Sequence, residues 1–156
     1  MTAEAYPLAE SSWGEEELGA MRRVIDSGFF SMGKNVRAFE EGFAKKFGMD
    51  HAVMVNSGSS ANLVGIAAFR FKKERPLLPG DEVIVPAISW ATTYYPLLQY
   101  GLKLKFVDVD IRTLNADISA IEAAITPKTK MIVAVSILGN PAPLTALRAL
   151  CDRNDI

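Results

Sequence analysis

Apolar residues recur at helical spacing up to about residue 50, and beyond it they gather into short continuous runs separated by further helical stripes. Tyr6-Pro7-Leu8-Ala9 reads as extended. Ser11-Ser12-Trp13 followed by Glu15-Glu16-Glu17 reads as a helix entry, with carboxylates at the positive end of the helix dipole. Leu18, Met21, Val24 and Ile25 form the stripe this helix is expected to bury, and Gly28 stops it after Ser27. A second helix over about 34–47 repeats Val36, Phe39, Phe43 and Phe47, and Gly48 stands where a left-handed C-cap belongs. Between them, Phe29-Phe30-Ser31-Met32-Gly33 places aromatic residues on a connection, a segment expected to meet a ligand or a second subunit.

From His51 onward the period alternates. Strands are predicted at 51–56, 82–85, 104–107 and 130–135, and helices at about 59–72, 91–100, 117–125 and 144–153. Leu78-Pro79-Gly80-Asp81 turns into the second strand and Thr126-Pro127-Lys128-Thr129 into the fourth. Near-continuous apolar strands alternating with helices predict an α/β fold, a mostly parallel sheet with flanking helices. The organisation expected is an N-terminal helical segment, 1–50, followed by an α/β domain, 51–156. Asp152-Arg153-Asn154-Asp155-Ile156 reads as a helix end and the first residue of another strand. The domain is therefore expected to be incomplete, the portion of a longer protein.

The joint between the first predicted strand and its helix is Val55-Asn56-Ser57-Gly58-Ser59-Ser60-Ala61-Asn62. Small residues there expose backbone N–H groups at a helix N-terminus, and serine hydroxyls add donors, an arrangement suited to a phosphate without a lysine. N-capping calls for the same residue types, so the motif alone leaves an ordinary capped turn equally open. It is neither a Walker A loop nor Gly-x-Gly-x-x-Gly.

The 156-residue length supports one domain with a real core, and 49% hydrophobic with 22% charged residues marks a globular chain. A formal net charge of −1, with charges mixed along the chain, provides no field for nucleic acid and no polybasic patch for a membrane. No apolar run reaches the length of a spanning helix and no basic-then-apolar signal opens the chain, so the expected location is the cytoplasm. One Cys and one His exclude a disulfide framework and a Cys/His metal cluster. Cys151, beside Leu147 and Leu150, reads as a packing residue, and His51 as a solvated strand-entry residue.

Ligands of α/β sheets bind outside the carboxyl ends of the strands. Three candidates gather there: the Ser57 to Ser60 turn, the Pro86-Ala87-Ile88-Ser89-Trp90-Ala91-Thr92 segment and Asp108-Val109-Asp110. A phosphate cradle, an indole face and carboxylates at one rim suit a flat phosphorylated cofactor. Trp90 offers a surface for a planar ring, or else packs in the core. Asp108 and Asp110 read foremost as a polar strand exit bonding local backbone.

Ser57-Gly58-Ser59-Ser60-Ala61-Asn62, the Pro-Gly-Asp-Glu-Val-Ile-Val-Pro run at 79–86, Phe106-Val107-Asp108-Val109-Asp110 and Thr113-Leu114-Asn115, in this order, resemble the amino-terminal part of the DegT/DnrJ/EryC1/StrS sugar aminotransferases. The resemblance implies part of the large domain of the type I aminotransferase fold and a pyridoxal 5′-phosphate or pyridoxamine 5′-phosphate cofactor. It further implies a nucleotide-sugar substrate and a homodimer at full length. Segments 88–96, 30–33 and Leu138-Gly139-Asn140-Pro141 look most like the family's dehydratase branch, which removes the C3 hydroxyl of a 4-keto-6-deoxy sugar, as against its aminotransferases. On the same resemblance, Ser57, Gly58 and Ser59 hold the cofactor phosphate and Trp90 stacks on its ring. The active-site Lys, or the His that replaces it in the dehydratase branch, is expected beyond the residues present, as is the carboxylate that pairs with the pyridine nitrogen. The chain by itself is then expected to be inactive, and a non-catalytic α/β phosphate-binding or interaction module is the reading without the family.

Overall fold

Glycine ends the first two helices as the periodicity predicts: Gly28 and Gly48 adopt left-handed φ values of 64° and 65° at the C-caps of α1 (Glu15–Ser27) and α2 (Lys34–Phe47). Such a conformation closes the last turn cheaply only without a Cβ. The structure, a computed structural model, describes residues 10–156, so the extended segment expected at 6–9 lies outside the described residues. The chain falls into two compact units, Met1–Met54 and Val55–Ile156.

In the first unit α1 is entered at Gly14, whose N–H donates to Glu17 Oε2 at 2.7 Å. The stripe expected to be buried on α1 is not: no residue of α1 is buried, and Ile25 is 64% exposed. Spacing specifies which side chains share a face, and burial needs a second surface that this unit does not supply. On α2, Phe43 stacks at 4.6 Å from Phe47 and 5.7 Å from Phe39, so the aromatic stripe packs along its own helix. Only Ala44 of that helix is buried.

The second unit contains α3 (Gly58–Phe71), β1 (Glu82–Pro86), α4 (Ala91–Gln99), β2 (Lys103–Val107), α5 (Ile118–Ala124), β3 (Thr129–Ile132) and α6 (Leu144–Asn154), with a 3-10 turn at Ile137–Gly139 before α6. The three strands form one parallel sheet in the order β2-β1-β3. β1 is central and its residues alternate between two cores. Val83 and Val85 meet Leu77, Leu97 and Leu102, with Ile66 of α3 packed against them, while Ile84 meets Val107, Ile121, Leu147 and Leu150. Val83, Ile84 and Val85 have no exposed surface. Each such side chain contributes about 1.5–3 kcal/mol through burial. Helices thus cover both faces, as the continuous apolar strands require.

One predicted strand is corrected. Residues 51–56 form no strand; Val53 is 73% exposed, and the Met54 N–H is bonded instead to Glu40 Oε1 at 2.8 Å. The β-branched run has strand propensity, but a strand exists only with a neighbour for its ladder, and no described residue provides one. β3 likewise ends at Ile132, short of the predicted Val135.

Candidate functional site

The sheet order creates a crevice. From β1 the chain crosses to β2 on one side, and β3 then joins β1 on the other, so the carboxyl ends of β1 and β3 diverge at a topological switch point. β1 delivers the Pro86 to Trp90 segment to this rim.

At the start of α3, Ser57 is the N-cap in extended conformation (φ −162°, ψ 162°). Its Oγ accepts the Ser60 N–H at 3.2 Å, and its carbonyl accepts the Ala61 N–H at 3.0 Å. The hydroxyls form a relay: Ser57 donates to Ser60 Oγ at 3.2 Å, and Ser60 donates to Asn56 Oδ1 at 2.6 Å. Capping therefore takes up the Ser57 hydroxyl. The N–H groups of Gly58 and Ser59 and the Ser59 hydroxyl have no hydrogen-bond partner among the described residues, and the first turn holds no acidic side chain. Donors and the helix dipole thus point outward at an open anion position.

Gly58 is not required by packing, since a Cβ there would meet nothing within 4 Å. Nor is it required by backbone conformation, because it is absent from the residues of positive φ. Neither packing nor backbone conformation within the described residues therefore calls for glycine at position 58.

Trp90 occupies the N-cap of α4 and is 77% exposed, which rules out the core alternative. The turn carrying it is tied to the sheet: Tyr94 donates its phenol to the Pro86 carbonyl at 2.8 Å, and the Ala87 N–H donates to the Val107 carbonyl at 2.8 Å. Ser89 and Thr93 share a hydroxyl contact of 2.8 Å. Burial pushes the Tyr94 phenol above its ordinary value, so it stays a protonated donor. Asn62 Nδ2 of α3 donates to the Thr92 carbonyl of α4 at 3.3 Å, which brings the starts of the two helices side by side.

Asp108 and Asp110 bond local backbone, as expected. Asp108 Oδ1 accepts the Val109 N–H and Asp110 Oδ1 the Arg112 N–H, both at 2.8 Å. The Arg112 side chain, 3.0 Å from Asp110 Oδ2, holds that carboxyl below the usual range. No hydrogen bond among the described residues joins this turn to the Ser57 to Ser60 turn. Cys151 is partly buried, and burial raises its thiol, in keeping with packing. His51 is exposed. No three His, Cys, Asp or Glu among the described residues are grouped to hold a metal. A cavity of about 770 Å³ lies along the open side of β3 between α3 and α6 and includes Ile66, Met131, Val133 and Cys151.

Sequence reasoning missed one feature of this rim. Asn115 is 4% exposed and donates Nδ2 to the carbonyls of Asn140 and Pro141 at 3.3 and 3.0 Å, while Asn140 Nδ2 donates to the Thr113 carbonyl at 2.6 Å. The two amides clasp the loops that follow β2 and β3. Both residues stand in quoted motifs, yet their separation of 25 positions left no local signal.

Over residues 11–156 the chain matches the DegT/DnrJ/EryC1/StrS aminotransferase family. It is 52% identical over 151 residues to the GDP-4-keto-6-deoxy-D-mannose 3-dehydratase of Yersinia pseudotuberculosis, covering 97% of this chain and 38% of that protein. It is 41% identical over 145 residues to the lipopolysaccharide biosynthesis protein RfbH of Salmonella typhimurium, covering 92% of this chain and 33% of that protein. Among solved structures, the E. coli GDP-4-keto-6-deoxy-D-mannose-3-dehydratase with bound hydrated PLP is similar with a TM-score of 0.92 and 52% identity, covering 97% of this chain and 39% of that chain. The chain spans less than two-fifths of the length of these proteins, and its fold is that of the corresponding part of a PLP-dependent aminotransferase-fold protein.

Proposed function

We propose that this chain, which belongs to the DegT/DnrJ/EryC1/StrS aminotransferase family, is the amino-terminal, cofactor-binding portion of an enzyme that removes the C3 hydroxyl from a nucleotide-linked 4-keto-6-deoxy sugar. The observation that carries this reading is the pairing of the outward N–H groups at Gly58 and Ser59 with an exposed indole at Trp90, in a chain 52% identical to a GDP-4-keto-6-deoxy-D-mannose 3-dehydratase.

The residues fit pyridoxal or pyridoxamine 5′-phosphate. Gly58 and Ser59 would hold the phosphate, with Ser57 as the cap that fixes their N–H groups, and Trp90 would stack on the ring. When bound, the cofactor supplies an electron sink that allows a carbon–oxygen bond of the sugar to break. The chain's own contribution is orientation and the favourable electrostatics of the α3 N-terminus toward a phosphate. The group that moves protons is assigned to no residue of this chain.

The same reading places the enzyme in deoxysugar and O-antigen biosynthesis in the cytoplasm, as a homodimer. Phe29, Phe30 and Met32, exposed by 58%, 74% and 65%, are apolar surface suited to a subunit contact. No helix among the described residues is long and apolar enough to cross a membrane.

The test uses the polypeptide that carries this segment at the length of its relatives, supplied with the cofactor and GDP-4-keto-6-deoxy-D-mannose. With pyridoxamine 5′-phosphate supplied as the two-electron donor, a keto product lighter by one oxygen atom, released with ammonia, supports removal of the C3 hydroxyl, and an amine in place of the keto oxygen assigns an aminotransferase. An unchanged nucleotide sugar contradicts both.

A further inference from the structure

Pro96 lies inside α4 and has no N–H, so the Thr92 carbonyl, four residues earlier, receives no donor from the helical position that would normally supply one. Asn62 fills that place from another helix, donating Nδ2 to the Thr92 oxygen at 3.3 Å. Among the described residues this is the one hydrogen bond between α3 and α4. Its two ends are close in sequence to the two proposed cofactor contacts. Asn62 stands one helical turn after Gly58, and Thr92 stands in the first turn of the helix that Trp90 caps.

Neither helix needs this bond to form. Asn62 is exposed, and asparagine is a poorer helix former than leucine at an interior position of α3. The turn carrying Trp90 is already fastened to β1 through Tyr94 and within itself through Ser89 and Thr93. Those contacts set Trp90 relative to the sheet and leave its spacing from the start of α3 to packing alone. A directional bond between the helices fixes that spacing, and a displacement of about 1 Å is enough to spoil a binding geometry.

We propose that Asn62 is a positioning residue, whose amide occupies the Thr92 carbonyl left open by Pro96 and so sets Trp90 at the distance from Gly58 that a ring carrying a phosphate spans. This rests on the reading of Gly58 and Trp90 as phosphate and ring contacts. Asn62 itself touches neither group of the cofactor.

The experiment titrates pyridoxamine 5′-phosphate, whose amine does not condense with surface lysines, into the polypeptide that carries this segment at the length of its relatives and into its Asn62→Leu, Asn62→Gln and Trp90→Ala variants. It follows the circular dichroism induced in the cofactor ring, and measures affinity for the phosphate end by competition with inorganic phosphate. Asn62→Leu keeps helix propensity and removes the donor. It is expected to reduce the induced signal at saturation to less than about half of wild type, with phosphate affinity within about threefold. Asn62→Gln, which retains the amide, is expected to recover part of the signal, and Trp90→Ala to abolish it. A wild-type signal in Asn62→Leu overturns the positioning role alone, provided Trp90→Ala still loses it. Signal and phosphate affinity lost together in Asn62→Leu mark a collapsed helix start and also overturn it. No induced signal in the wild type overturns the cofactor reading and this inference together.

Discussion

Ser60 donates its hydroxyl to Asn56 Oδ1 at 2.6 Å, which leaves the Ser60 oxygen to accept the proton of Ser57. That relay assigns different work to the three serines of this turn. Ser57 and Ser60 hold the first turn of α3 in shape, and Ser59 is free to face a ligand.

Ser57→Ala is therefore expected to lower stability by about 1 kcal/mol through loss of the cap, read as a fall in Tm. Ser59→Ala should leave Tm nearly unchanged and weaken cofactor binding about tenfold, the scale of one hydrogen bond to a charged group. Calorimetry of folding and of cofactor binding on the same two variants separates the roles; equal effects on both quantities would remove the distinction.

At Gly58 binding and stability should move in opposite directions. Nothing lies within 4 Å of a Cβ there, so Gly58→Ala should fold and gain about 0.4–1 kcal/mol from a less flexible unfolded chain. The same methyl group occupies the approach to the α3 N–H groups, and Gly58→Val does so more fully. Both variants are expected to bind the cofactor phosphate at least about tenfold more weakly while melting no lower than wild type.

The clasp between Asn115 and the Asn140 and Pro141 carbonyls predicts a large stability effect at a position that touches no proposed ligand contact. Asn115→Ala removes two hydrogen bonds from a buried side chain to the Asn140 and Pro141 carbonyls and should cost about 1–3 kcal/mol, visible in urea denaturation. The Asn115 Oδ1 atom already lacks a partner among the described residues, so replacing the whole amide forfeits only the Nδ2 bonds.

Acid should weaken the second unit in a defined direction. The Ser119 hydroxyl and then the Ala120 N–H hold the Asp117 carboxyl below its ordinary value, and Arg112 does the same for Asp110. A carboxyl depressed in the folded state contributes stability above its unfolded pKa, and loses it as pH falls through the folded value. Tm should thus be level near neutrality and fall as pH drops below about 4. Asp117→Asn should flatten part of that fall, and an unchanged acid slope in the variant would show that Asp117 takes no part.

Most helices of this chain were legible because each carries its own punctuation. Gly28 and Gly48 end α1 and α2, Ser57 and Asp117 cap α3 and α5, and the apolar spacing between such signals needs no distant partner. The parallel sheet was legible for a similar reason, since Val83, Ile84 and Val85 are apolar on both faces. Residues 51–56 misled because strand character lies in a ladder as much as in β-branched side chains, and propensity names no partner. The α1 stripe misled in the same way: Met21 and Ile25 share a face, but sharing a face does not cover it. At the rim, the small residues of 57–60 and the indole of Trp90 could be read in sequence, whereas the Asn62–Thr92 and Asn115–Asn140 contacts join residues 30 and 25 positions apart and arise only on folding.

Isothermal titration of pyridoxamine 5′-phosphate into the polypeptide that carries this segment at the length of its relatives, and into its Gly58→Val and Trp90→Ala variants, tests the cofactor site most directly. The site described here gives saturable binding at one equivalent per chain that weakens by at least about tenfold in each variant. Absence of wild-type binding, or binding that neither substitution disturbs, would place the cofactor elsewhere and contradict the assignment of the α3 N-terminus and Trp90.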